Sequence, residues 1–248
     1  ESTPGKDEFF IFGMSLLKLF NVMMKIKYLL VVFIMIQINC QDKQTINKKV
    51  IKKIIAKKKE RTIPLKKPPL ITQNNAVSFL REYSKKHPEK NILIKTRLGN
   101  IEIRLFDDTP LHKANFLLLV NEGYFNTTCF HRVVKDFIIQ AGQSDKKSTR
   151  LLREKIGNYK IPPEFKKHLH YKGSLSSARR WNNNPLKQSD PFEFFIVHNK
   201  EGLHHLDYEH TVFGKVINGI NVIDKIANEA IDKGEWPIKD IDLKVTSF

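Results

Sequence analysis

The densest grouping of chemistry-bearing side chains is the run HHLDYEH, where His204, His205, Asp207 and His210 stand within seven residues. Imidazoles and a carboxylate at such spacing are potential metal ligands. A closed site also needs ligands from elsewhere in the chain, and no second group stands out. The expectation is therefore no metal and no cofactor. Asn126-Thr127-Thr128 has the form of a glycosylation sequon and is read as an ordinary turn. The two thiols are Cys40 and Cys129. A disulfide between them would have to join a tether to a domain, so the fold is expected to stand on its core alone. Read one at a time, Arg132 is a surface arginine, and Phe137 and Phe195 are core aromatics.

The formal charge of +17 invites a nucleic-acid reading, so its location matters. Between Gln41 and Pro69 there are eleven Lys or Arg against Asp42 and Glu60, a net +9, while residues 1–40 add +1 and leave +7 from Leu70 onward. The charge is thus concentrated in KKVIKKIIAKKKERTIPLKK, a solvated basic tether able to lie against anionic headgroups. No aromatic stacking motif or recognition-helix pattern accompanies it, which argues against specific nucleic-acid binding.

Upstream, MMKIKYLLVVFIMIQINC has a charged start at Lys25 and Lys27 and an apolar stretch from Tyr28 to Ile36. That is the anatomy of an export signal, short for a bilayer span. The earlier run FFIFGMSLLKLF is separated from it by Lys18, Asn21, Lys25 and Lys27, so translation is expected to start at Met23 or Met24. Cys40 directly after the apolar stretch is a lipidation candidate, although Gln37 and Asn39 are poor lipobox residues. The resulting expectation is an exported protein at the periplasmic face of a bacterial membrane, attached through Cys40 or the apolar segment.

The elements beyond the tether follow from periodicity. Asn75 is placed to cap an amphipathic helix through Ala76, Phe79 and Leu80 to about Lys86, ended by His87-Pro88. NILIKT and NIEIRLF flank Arg97-Leu98-Gly99 with alternating apolar residues, a hairpin with one buried face. Thr109-Pro110 opens a second helix, LHKANFLLLVNEG, which Gly123 stops. FHRVV, FIIQ, FEFFIV and TVFGKV are further strand segments, Ile220 to Ala227 a helix, and Ile241, Leu243 and Val245 a last strand. Residues 144–172 are basic and poor in period, and are expected to be a surface loop with KIPPEF extended. Many short strands with two separated helices suggest a mainly β fold, a closed antiparallel barrel capped by helices.

The run FHRVVKDFIIQAGQ, followed in order by GSLSSAR, FEFFIVHN and LDYEHTVFGKV, resembles the cyclophilin-type peptidyl-prolyl cis/trans isomerases from about Ile92 to Phe248. The arrangement GSLSSARR, NNNPLKQSD, FEFFI is most similar to the bacterial branch. The resemblance implies a closed eight-stranded barrel with a helix at each end and a substrate groove on its outer face. The organisation becomes a signal or lipoprotein-type segment at 1–40, the tether at 41–72, a short helical extension at 73–91 and the isomerase-like domain at 92–248. The implied catalytic set is Arg132, Gln140 and His210. Phe137, Ile138, Phe195 and Leu206 match the apolar proline pocket, and Ala178 the small residue that lets the substrate backbone approach. Four departures fall in or beside the groove. QAGQ, with Ala141 and Gln143, stands where the family has QGGD; Glu193 replaces a glutamine; His205 takes the place of a tryptophan; Arg179 and Arg180 replace Asn-Ala.

The implied partners are proline-containing polypeptides, and the implied reaction makes and breaks no covalent bond. Rotation about X-Pro faces a barrier of about 18–20 kcal/mol set by amide resonance. A catalyst must favour the twisted amide, whose nitrogen has regained its lone pair. A fixed, permanently charged guanidinium such as Arg132 suits that task. His131, its neighbour, would face the other side of the strand. The competing reading is a non-catalytic proline-binding chaperone or scaffold of the same fold.

Overall fold

The computed structural model describes residues 70–248. The export segment, Cys40 and nearly all of the basic tether lie outside the described residues. Among the described residues no helix is long and apolar enough to cross a membrane.

Strand β1 (Ile71–Thr72) leads into α1 (Ala76–Lys86), whose apolar stripe buries Ala76 and Leu80. Asn75 does not cap this helix: its Oδ1 accepts from Thr72 N at 2.8 Å and its Nδ2 donates to Leu70 O, so it shapes the entering turn instead. The hairpin is β2 (Asn91–Thr96) and β3 (Gly99–Leu105), with Ile92, Ile94, Ile101, Ile103 and Leu105 inward as the alternation requires. Helix α2 (Pro110–Asn121) is buried on nearly every side. Thr109 likewise leaves its helix uncapped, its Oγ1 donating weakly to Phe106 O. The first-turn amides of Leu111 and His112 are satisfied by the carboxylate of Glu164 at 3.1 and 2.9 Å. A negative group at the positive end of a helix is the favourable sign.

Next come β4 (Cys129–Val134), β5 (Ile138–Gln143) and α3 (Lys147–Ile156), followed by β6 (Gly157–Asn158), which pairs in parallel with β1. The expected loop at 144–172 therefore contains a helix. Its pattern is weak because only Thr149 and Ile156 are buried, while Leu151 faces solvent. Strands β7 (Ser174–Ser177), β8 (Phe194–Val197) and β9 (Val212–Asn218), helix α4 (Ile220–Ala227) and strand β10 (Lys244–Ser247) complete the chain.

Eight strands form one antiparallel sheet in the order β10-β2-β3-β9-β7-β8-β5-β4. The expected closed barrel is corrected to a curled sheet with two edges. Between β4 and the run before β10 there is one bridge, Cys129 with Asp242, and two backbone bonds, Phe130 N to Ile241 O and Leu243 N to Thr128 O. The expected pair of caps becomes four α-helices among the described residues. Gly142 holds φ +109° in β5, and a Cβ there would lie 2.1 Å from Phe192 O, so the backbone leading into β8 admits no side chain at this position.

The strand alternation produces two apolar bodies. Phe130, Ile139, Phe194, Ile196 and Phe213 join α2 and α4 in the main core. Ile138, Phe195 and Val197, the intervening residues of β5 and β8, form a separate cluster on the outer face with Ala178, Leu203, Leu206 and Phe137.

Candidate active site

That outer cluster is the floor of a groove of about 340 Å³. Ten of the anticipated residues line it: Arg132, Phe137, Ile138, Gln140, Ala178, Arg179, Phe195, His205, Leu206 and His210. Glu193 is not part of the lining and touches Gln140 from below. Trp181, which no sequence reading singled out, is a further wall.

Arg132 pairs with Gln140 in the same regular register as Cys129 with Gln143, Val133 with Ile139 and Val134 with Ile138; only Phe130, paired with Ala141, departs from it, so the irregularity is local and is compensated within two residues. That register places Arg132 beside Gln140, and Gln140 pairs in turn with Phe195 of β8. Cross-strand partners share a face, so guanidinium, amide and phenyl form one row across the sheet.

Each polar member of the row has its own support. Arg132 Nε donates to Glu235 Oε2 at 2.6 Å, and the guanidinium carbon lies 5.8 Å from the Phe137 ring centre. Gln140 Nε2 donates to Glu193 Oε2 at 2.9 Å. Glu193 also has Arg153 of α3 at 3.6 Å and His131 Nε2 at 3.7 Å. Burial, and then neighbouring Asp190, push its carboxyl above the usual carboxylate range. Glu235 thus holds the arginine and Glu193 the glutamine.

The aromatic walls are ordered by contacts among themselves. Phe195 meets His210 edge to face at 5.4 Å, His210 meets Trp181 at 5.3 Å, and His205 stacks parallel to Phe137 at 6.1 Å. His210 Nδ1 donates to Ser177 O at 2.9 Å, which leaves Nε2 unprotonated in the neutral ring. Burial, with a smaller push from Arg179, lowers its pKa to about 4. It is therefore a neutral, apolar-sided wall at pH 7 and not a proton carrier. Arg179 Nε donates to Glu209 O at 2.7 Å, its guanidinium pairs with the Glu209 carboxylate, and it stacks 4.2 Å from the centre of the Trp181 ring. Glu209, which Lys187 shares, holds the guanidinium, and Arg179 acts as the pillar behind the indole.

The HHLDYEH run is accounted for without a metal. Asp207 accepts from His170 Nδ1 at 2.8 Å and from His204 Nδ1 at 2.9 Å, while His205 and His210 belong to the groove. The sequon residue Asn126 is exposed in a single 3-10 turn, its Oδ1 accepting from Val245 N.

Residues 91–247 match the family model described as cyclophilin type peptidyl-prolyl cis-trans isomerase/CLD. The chain is 36% identical over 157 residues to peptidyl-prolyl cis-trans isomerase-like 3 of Dictyostelium discoideum, covering 62% of this chain and 92% of that protein. It is 36% identical over 165 residues to peptidyl-prolyl cis-trans isomerase-like 2 of Rhizopus delemar, covering 65% of this chain but 29% of that longer protein. A crystal structure of a cyclophilin type peptidyl-prolyl cis-trans isomerase from Cryptosporidium parvum, in the presence of the dipeptide Ala-Pro, superposes with a TM-score of 0.54 at 29% identity, covering 64% of this chain and 99% of that one. These relatives come from eukaryotes and give the expected bacterial exported branch no support. With the family's motifs, strand order and groove in one domain, the chain belongs to the cyclophilin-type peptidyl-prolyl cis-trans isomerases.

Proposed function

We propose that the domain catalyses cis/trans isomerisation of X-Pro bonds, with the proline ring against Phe137, Ile138, Phe195 and Leu206. The observation that carries this reading is the register of β4 on β5, which sets Arg132 beside Gln140 at the edge of an apolar floor. With Nε taken by Glu235, the two terminal nitrogens of Arg132 remain as donors for the prolyl nitrogen as its lone pair develops. Gln140, steadied by Glu193, keeps its amide oxygen for the substrate backbone. Each tenfold acceleration needs about 1.4 kcal/mol of preference for the twisted amide, so a fixed charged donor beside a dry pocket supplies several orders of magnitude. NMR exchange spectroscopy on an X-Pro peptide tests this: cis and trans signals should exchange faster with protein than in buffer, and no acceleration by folded protein would reject it.

A second reading, a proline-binding module without catalysis, draws on the same ion pair. If Glu235 withdraws the guanidinium from the substrate, the groove binds and does not isomerise. Peptide binding without exchange would select it. The N-terminal apolar segment and Cys40 further motivate a reading as an exported or membrane-attached protein acting on exported chains. Membrane fractionation of the chain and of Cys40→Ser addresses that independently of catalysis.

A further inference from the structure

Beyond the Trp181 wall the surface opens into a second pocket of about 710 Å³, which shares Arg179 and Trp181 with the groove. Its lining contains three cations, Lys160, Arg179 and Arg180, and no carboxylate. Two of the three face carboxylates: Lys160 meets Asp190 at 2.8 Å, and Arg179 meets Glu209, which it shares with Lys187. Arg180 is exposed, and among the described residues no carboxylate pairs with it. Its own carbonyl accepts from Asn184 Nδ2 at 3.0 Å, and the same amide donates to Gln188 O at 2.9 Å. The segment that carries Arg180 is therefore pinned across the pocket, and the remaining lining is amide side chains and the open face of an indole.

A concave, pre-formed, net-positive site next to a peptide groove selects an anion on the same peptide. We propose, resting on the proline-peptide reading of the groove, that this pocket takes an acidic side chain of the substrate near the proline, with Arg180 as the residue that recognises it. The shared chemistry is an anionic oxygen group meeting a planar guanidinium, and either a carboxylate or a phosphorylated hydroxyl supplies it. The neutral groove floor explains why the preference must come from outside it. The charged group of the groove, Arg132, already has Glu235 beside it, whereas Arg180 has no carboxylate partner among the described residues. Because Lys160 and Arg179 each have a carboxylate beside them and Arg180 has none among the described residues, the selectivity concentrates on Arg180.

The test uses the full chain and a host peptide with one X-Pro bond, in which Glu, or its neutral twin Gln, is placed at each of the nearest positions on either side of the proline. A parallel arm carries phosphoserine against serine. The readout is the ratio of kcat/KM for the acidic and neutral twins, measured by NMR exchange, with the ratio of Kd values from calorimetry beside it. At low salt one position should favour Glu by about fivefold, the size of a partly exposed ion pair, and the ratio should approach one at about 0.5 M salt. Arg180→Ala should bring it to about one and Arg180→Glu should invert it. A larger phosphoserine ratio at the same position assigns the pocket to phosphate, a smaller one to carboxylate. A ratio near one at every position in the unmodified chain, or a ratio unchanged in Arg180→Glu, overturns the proposal. Acid-selective Kd values without any exchange would remove the enzymatic reading and leave this one standing. Full exchange with no selectivity would do the reverse.

Discussion

Arg132 Nε donates to Glu235 Oε2 at 2.6 Å, joining β4 to a turn 103 residues later. The turn is built to deliver that carboxylate. Glu235 adopts φ +64°, its N donates to Asp232 O, and its carbonyl accepts from Val133 N at 2.8 Å, one residue past the arginine. Asp232 Oδ1 accepts from Gly234 N and Trp236 N and closes the loop. Both partners are partly solvated, so the pair contributes under about 1 kcal/mol to stability and its effect lies in aiming the guanidinium. Glu235→Ala should lower kcat about tenfold with KM changed less than about twofold, and Glu235→Gln should recover part of it. A rise in exchange rate would instead show that Glu235 competes with the substrate.

Arg132→Ala should lower kcat by about a hundredfold, some 2.7 kcal/mol, because the interaction lost exists mainly in the twisted state. Peptide affinity should fall much less, since Phe137, Ile138, Phe195 and Leu206 still receive the ring. Arg132→Lys should rescue little, its point charge lacking the planar donors and the Nε that Glu235 holds. Exchange spectroscopy and calorimetry on the same samples separate the two effects.

Stability should fall on acidification between about pH 6.5 and 4. His131 and His210 are buried and each is pushed down to about 4, in both cases chiefly by burial. Below the ordinary histidine pKa the unfolded chain takes up two protons that the folded chain refuses, so stability present above pH 6.5 is lost until the folded pKa is reached. Glu193 acts in the opposite sense: its carboxyl is raised in the fold, so the folded chain gains a proton first as pH falls. His170, also lowered chiefly by burial, adds in the same sense, so the histidines outweigh one carboxyl, and urea unfolding at pH 7 and 4.5 should differ by on the order of 2 to 4 kcal/mol. An unchanged midpoint would mean that the two rings are not buried neutral.

A fragment starting at Leu70 should fold on its own, and one starting at Asn91 should be weaker. The family model begins at residue 91, yet Ile71, Ala76 and Leu80 are 2%, 0% and 0% exposed and part of the main core. Removing Ile71 and Leu80 alone forfeits about 3 to 6 kcal/mol of apolar burial. Thermal unfolding of the two fragments measures it, and equal midpoints would show that α1 is an accessory.

What could be read along the chain was whatever depends on near neighbours. The alternation of Ile101, Ile103 and Leu105, the apolar run of α2 and the Ile220 to Ala227 helix are local patterns, and the structure has elements there. Helix α3 was illegible because it buries two residues of ten and its Leu151 faces water. Asn75 and Thr109 carried the cap chemistry, but a cap is a geometry as well as a residue type. The helix of Thr109 found its partner in Glu164, more than fifty residues away.

The candidate site divides along the same line. The resemblance carried by four motifs in order brought Arg132, Gln140, Phe195, Leu206 and His210 into one hypothesis, although Leu206 and His210 lie outside the strands. Tertiary structure decided the rest: the pairing register of β4 with β5 sets Arg132 beside Gln140, a remote turn supplies Glu235, and the loop after Ala178 folds Trp181 back over His210. Sequence periodicity reports which face of an element is apolar. Which distant polar group meets an arginine depends on loop closure and strand register, and these are settled only when the whole sheet curls around its core.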